Sequence, residues 1–178
     1  MPLPDFTAFD TALAELQGES DRARAVVGAS VIETLLGDLL KKALLPTTAA
    51  ARLLRKDGPV GSLSARIDLA KSMAILPIDV CDDLHLVRQI RNKFAHSHEP
   101  LRFDLDPIRS WVSSFRCLVA IRNQLKERKT KPEEWAIVVD KGWHLPRRQF
   151  EVAVFDLSGR LSVSIHHRAP PVTPPNAY

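Results

Sequence analysis

The stretch PIDVCDDLHLVRQIRNKFAHS, residues 77–97, decides the fold class. A proline suits the first turn of a helix, so Pro77 opens one, and the pattern runs on to about Ser97. At about 100° per residue, Val80, Leu84, Val87 and Phe94 share one face, which is predicted to be the core stripe. Asp82, His85, Arg88, Asn92 and His96 fall on the other side, with Asn92 and His96 one turn apart. Arg91 lies inside the apolar stripe. Its charge cannot be shed, so it must be paired or donate to a carbonyl. Asp68, from a neighbouring helical segment, is a candidate partner. On these residues alone, His96 reads as a surface histidine at a helix end.

Working outward, residues 5–130 carry helical periodicity throughout. Phe6, Phe9, Leu13 and Leu16 recur at three- and four-residue steps, and Gly18 closes that helix. Ser20 reads as the N-cap of the next, with Asp21 in its first turn and Val27, Val31, Leu35 and Leu39 on its inner stripe. Pro46 ends it. A short helix near 48–55 leads into Lys56-Asp57-Gly58-Pro59-Val60-Gly61, where two glycines within four residues mark a loop with special backbone geometry. Ser62 or Ser64 caps a helix running through Ile75. Pro107 opens the last one, with Ile108, Trp111, Phe115, Leu118, Ile121 and Leu125 inward.

Beyond Lys131 the pattern changes. Trp135–Val139 is a β-prone run. Phe150, Val152 and Val154 alternate, Asp156-Leu157-Ser158-Gly159 reads as a turn, and Leu161, Val163 and Ile165 alternate again, the signature of a β-hairpin. The expected architecture is therefore mostly α. A helical bundle over 1–130 is followed by a small strand-rich C-terminal extension over 131–169 and a Pro-rich flexible tail over 170–178.

Composition sets the outer limits. A chain of 178 residues is one domain's length, and 45% hydrophobic with 26% charged residues is an ordinary globular balance. Lys+Arg 25 against Asp+Glu 21 gives a net charge of +4. Residues 131–178 carry six basic and five acidic groups, leaving +3 on the first 130. That allows nucleic-acid binding without demanding it. Cys81 and Cys117 sit in apolar helical patterns without metal-ligand spacing, so they read as small buried hydrophobes in a reducing compartment. The N-terminus lacks the charged and apolar regions of a signal peptide, and apolar runs fall short of the ~20 residues of a membrane helix. The expectation is a soluble, cytoplasmic protein with no membrane partner.

Two resemblances bear on function. Arg91-Asn92-Lys93-Phe94-Ala95-His96 resembles the Arg-polar-three-residue-His motif of HEPN domains. The longer stretches Gly58–Ala70 and Asp83–His96, in that order and spacing, resemble the MltR family of mannitol operon repressors, over roughly residues 10–125. The MltR resemblance implies an all-helical transcriptional regulator without a DNA-reading motif, so repression through a protein partner is favoured. Indeed, no helix pair here presents Arg, Asn and Gln at groove-facing spacing. The HEPN resemblance implies metal-independent RNA cleavage, with His96 moving the ribose proton, Arg91 steadying the phosphorane charge and Asn92 orienting either, across a homodimer interface. On one helix Arg91 and His96 point about 140° apart, so rotation at the frayed helix end or a partner subunit is needed to converge them. A third reading is a non-catalytic helical interaction module.

The remaining site residues form two groups. Asp68, Arg66, His85 and Arg88 make a polar cluster on adjoining helices, structural or functional. Arg122, Lys126, Arg128 and Lys129 close the last helix, where cations complement the helix dipole and would contact phosphate if RNA or DNA binds. His166-His167 lacks a third ligand, so no metal is expected, nor any cofactor. Neither a nucleophile elbow nor a Walker loop is present.

Overall fold

The computed structural model describes residues 20–127, 144–169 and 171. Within them are seven helices: α1 (Asp21–Ala43), α2 (Thr48–Leu54), α3 (Leu63–Ser72), α4 (Ile78–His96), α5 (Ile108–Ser113), α6 (Arg116–Glu127) and α7 (Pro146–His167). The helical bundle read from the sequence is observed. The expected helix before Gly18, the run Trp135–Val139 and nearly all of the Pro-rich tail lie outside the described residues.

Helix starts follow the capping rules. The hydroxyls of Ser20, Thr47 and Ser62 accept from the N–H groups of Ala23, Ala50 and Ala65, each at 3.2 Å. Pro77 precedes α4 as expected. α1 is the central element and packs against α7 and α4, while α3 lies on α4 and α5 and α6 lie against α7 and α4. Val80, Leu84, Val87 and Phe94 are all buried, so the stripe read from α4 is the one it uses. Stacked rings extend it: Phe94 and Phe103 lie 4.9 Å apart, as do Phe103 and Phe150.

Four sequence expectations require correction. Residues 150–165 are not a hairpin; they belong to α7, one helix of 22 residues. Phe150, Val154, Leu157 and Leu161 form a helical stripe of fully buried side chains, and Val152 and Ala153 are buried beside them. Burial around so much of the circumference masks the 3.6 period and lets the β-branched residues mimic alternation. Asp156 and Arg160, read as bracketing a turn, form an i,i+4 pair at 2.6 Å instead. α7 is thus an integral wall of the bundle.

The inner face of α1 is also turned from the one predicted. Ala25, Gly28, Ala29, Ile32, Leu36, Leu39 and Leu40 are buried, while Val27, Val31 and Leu35 flank them half-buried. Small residues let α7 approach closely: a Cβ on Gly28 would stand 3.3 Å from both Phe150 and Val154. The helix opened by Pro107 is two helices, broken at Ser114–Phe115. Finally, α3 stops at Ser72 rather than Ile75, and Ala74 follows it with a positive φ of 50°.

Candidate functional site

Two of the polar side chains singled out from the sequence, Asp68 and His85, meet where α3 and α4 lie antiparallel. Two polar contacts fix that register: the ion pair of Lys71 with Asp82 at 3.0 Å and the approach of His85 Nε2 to Asp68 Oδ1 at 3.2 Å. Asp68, the candidate partner for Arg91, is not the one it meets. Arg91 instead faces Glu33 of α1, across 3.7 Å, with about 30% of its side chain exposed. Phase along α4 explains the exchange. His85 lies on the α3 side, whereas Arg91 is turned far enough to meet α1.

Arg66 is the most heavily used member of the cluster. Its guanidinium donates to three main-chain carbonyls: Val60 at 3.3 Å, Glu33 at 3.3 Å and Leu54 at 3.1 Å. One planar fork therefore ties α1, the end of α2 and the loop 55–61 together. Gly37 gives it room, since a Cβ there would stand 3.2 Å from Arg66 Nη1. The loop itself is held by close backbone approach. A Cβ on Gly58 would fall 2.3 Å from the Arg52 carbonyl, and one on Gly61 would fall 2.3 Å from the Lys56 carbonyl. Only glycine fits either position.

Arg88 is half-buried, and its Nε is shielded from water without an acceptor among the described residues. Asn92 is half-buried and His96 exposed. Arg91 and His96 thus remain on separate faces of α4, and the described residues of one chain do not bring them onto a common point. No group of three or more metal-ligating side chains occurs among the described residues. Arg122 and Lys126 lie within α6, while Arg128 and Lys129 lie outside the described residues.

Several polar contacts that organise the bundle were not anticipated from the sequence. Asp83, 2% exposed, receives the first-turn N–H groups of α6, Arg116 at 2.8 Å and Cys117 at 2.9 Å. A carboxylate within an apolar stripe was the available signal, since it must find donors. Asp82 is held below the usual carboxylate range, first by the Lys71 hydrogen bond and then by the Lys71, Arg116 and His85 charges. Glu151 of α7 binds Arg24 and, at 2.9 Å, Arg148. Asp21 faces Arg147 and also accepts from the Phe103 N–H at 2.9 Å. Burial pushes the thiols of Cys81 and Cys117 up, Cys117 with help from the neighbouring Asp83 charge. Neither is therefore an activated nucleophile. No described helix is long and apolar enough to cross a membrane.

Comparison with known proteins adds one result. No family model matches the chain, and no curated protein matches it. Among solved structures, the chain is similar to one in the X-ray structure of the MtlR-HPr complex from Escherichia coli, with a TM-score of 0.64 and 17% identity. The match covers 86% of this chain and 97% of that one. The two share a fold.

Proposed function

We propose that this protein is a regulator that works by docking another protein, in the manner implied by the MltR resemblance, and that its output is repression of transcription. The observation that supports this best is the fold held in common with a chain of the MtlR-HPr complex along nearly its whole length. The geometry agrees with it. Arg66, Asp83 and Asp82, the most heavily bonded polar groups around α4, are engaged with backbone or with neighbouring helices rather than converging on a reacting atom. HPr is accordingly the first partner to test. Titration of the purified chain with E. coli HPr by isothermal calorimetry is expected to give a saturable, stoichiometric complex. Absence of heat and of co-elution at high protein concentration would remove that partner.

The ribonuclease reading requires rotation at the end of α4 or a second chain, because Arg91 and His96 lie about 140° apart around that helix. Incubation with a labelled structured RNA in EDTA decides it. Cleavage lost in folded Arg91→Ala and His96→Ala variants would establish the nuclease, and intact RNA would leave the motif architectural. Sedimentation of the same samples tests the homodimer.

A further inference from the structure

α4 carries one guanidinium that the fold leaves without a counter-charge. Arg88 is half-buried, its Nε is out of reach of water, and it makes no hydrogen bond or ion pair among the described residues. Helix register explains why. Lys71 lies beside Asp82, and Asp68 beside His85. One further turn of the two antiparallel helices brings Ala65 level with Arg88, and an alanine side chain offers no acceptor. On α4 itself the neighbours one turn away are Leu84, His85, Arg91 and Asn92, none of them acidic. An arginine cannot shed its proton, so this half-buried charge lacks the compensation that buried charges ordinarily receive.

Two polar neighbours on the helix are also free to donate. Asn92, one turn on, is half-buried, and its amide makes no side-chain hydrogen bond among the described residues. Arg91 has Glu33 opposite, and at 3.7 Å that pair is an ionic approach beyond hydrogen-bonding length. At about 100° per residue, the three side chains share a sector of about 100° around α4, within little more than one turn. Arg66, also beside Glu33, donates only to carbonyls, so its charge is not cancelled either. Three guanidiniums are thus set against two carboxylates, Glu33 and Asp68, the second engaged with His85. The balance is positive, the sector is only partly open to water, and its unused polar groups are mainly donors.

We infer that Arg88, Arg91 and Asn92 form a binding site for the terminal phosphate of a phosphomonoester. Guanidinium forks match phosphate oxygens two at a time. A terminal phosphate presents three free oxygens in three directions, one toward each side chain of the sector. A carboxylate presents two in one plane. The phosphodiester of a nucleic acid keeps only two free and needs room for chain on both sides. The inference uses neither His96 nor the protein-docking function proposed above, and its ligand is a small molecule rather than a second protein.

The test follows the phosphorus NMR signal of phenyl phosphate titrated with the full chain, at constant ionic strength set with chloride. Inorganic phosphate, acetate and a single-stranded RNA without terminal phosphates serve as competitors. Wild type, Arg88→Met and Asn92→Ala are compared, with thermal melts in chloride as folding controls. Saturable binding is expected for wild type, weaker by about tenfold or more in Arg88→Met and weaker also in Asn92→Ala. The melt of Asn92→Ala is expected near wild type, and that of Arg88→Met at or above it, because an unpaired charge is removed. Inorganic phosphate is expected to displace the ester, and acetate and RNA to displace it poorly. No saturable binding, affinity unchanged in the folded variants, or acetate competing as well as inorganic phosphate overturns the inference. So does RNA competing at lower concentration than inorganic phosphate, which would assign the site to a nucleic-acid backbone. A lowered melt for Arg88→Met overturns it too, since the protein itself would then hold this guanidinium.

Discussion

Replacing Arg66 by methionine keeps the aliphatic stem, deletes the guanidinium and removes three hydrogen bonds together, to the carbonyls of Glu33, Leu54 and Val60. A hydrogen bond contributes a net ~0.5–1.5 kcal/mol, and up to ~3 kcal/mol with a charged donor in a dry site. These bonds are 3.1–3.3 Å long and their acceptor residues are half-buried, so the lower range applies. The expected loss for Arg66→Met is about 2–4 kcal/mol. Gly37 supplies a second, sharper test. Gly→Ala in a helix interior ordinarily gains ~1 kcal/mol. Here the new Cβ would stand 3.2 Å from Arg66 Nη1 and push it off the Glu33 carbonyl. Gly37→Ala is therefore expected to be nearly neutral in wild type and stabilising by ~1 kcal/mol in the Arg66→Met background, a coupling of that size between the two sites. Urea titration of the four proteins by circular dichroism at 222 nm measures it. Equal stabilisation in both backgrounds, or an Arg66→Met loss below ~0.5 kcal/mol, would refute the clamp.

Two further predictions follow from the carboxylates of α4. Asp83→Ala strips two first-turn amides of α6 of their acceptor. It should cost about 2–3 kcal/mol, with Asp83→Asn recovering part through its amide oxygen; urea midpoints for both within experimental error of wild type would dismiss the cap. Asp82, whose pKa is depressed below its ordinary value of 3.8, stabilises the fold fully above that value and loses the contribution as pH falls through the lowered one. The difference in melting temperature between wild type and Asp82→Asn should shrink steadily below pH 3.8. A difference that stays constant to pH 2 would show that the Lys71 hydrogen bond and the surrounding cations do not stabilise this group.

How much of this the sequence discloses depends on how each helix is buried. α4 is covered on one side, so Val80, Leu84, Val87 and Phe94 announce its inner face directly. In α1 the packing is carried by Ala25, Gly28 and Ala29, whose small size is their use. A search for large apolar residues settles instead on Val27 and Val31, at the edge of the contact. α7 is covered on most sides, and a helix so enclosed can read as alternating strands when valines are frequent. The need of Arg91 for a counter-charge was legible, but the identity of the partner was not. Whether Asp68 or Glu33 stands opposite is settled by the register between helices, which local spacing does not contain. The clamp of Arg66 is hidden for the same reason, because its acceptors are carbonyls, which any residue supplies. Only Gly58 and Gly61 marked the loop it holds.

These differences divide the polar residues by what their replacement should reveal. Around α4 nearly every strong polar contact joins one element to another: Asp83 to the start of α6, Asp82 to Lys71 and Arg116, Asp68 to His85, Arg91 to Glu33. Loss of binding in variants there would therefore be entangled with loss of structure, and a motif that looks chemical would score as essential whatever its role. Arg52 and Lys56 are the contrast: both are exposed and make no ion pair or side-chain hydrogen bond among the described residues, and surface changes of that kind usually alter stability by no more than ~0.5 kcal/mol. A change in partner affinity at such a position, with the melt unmoved, reports on the surface and not on the fold.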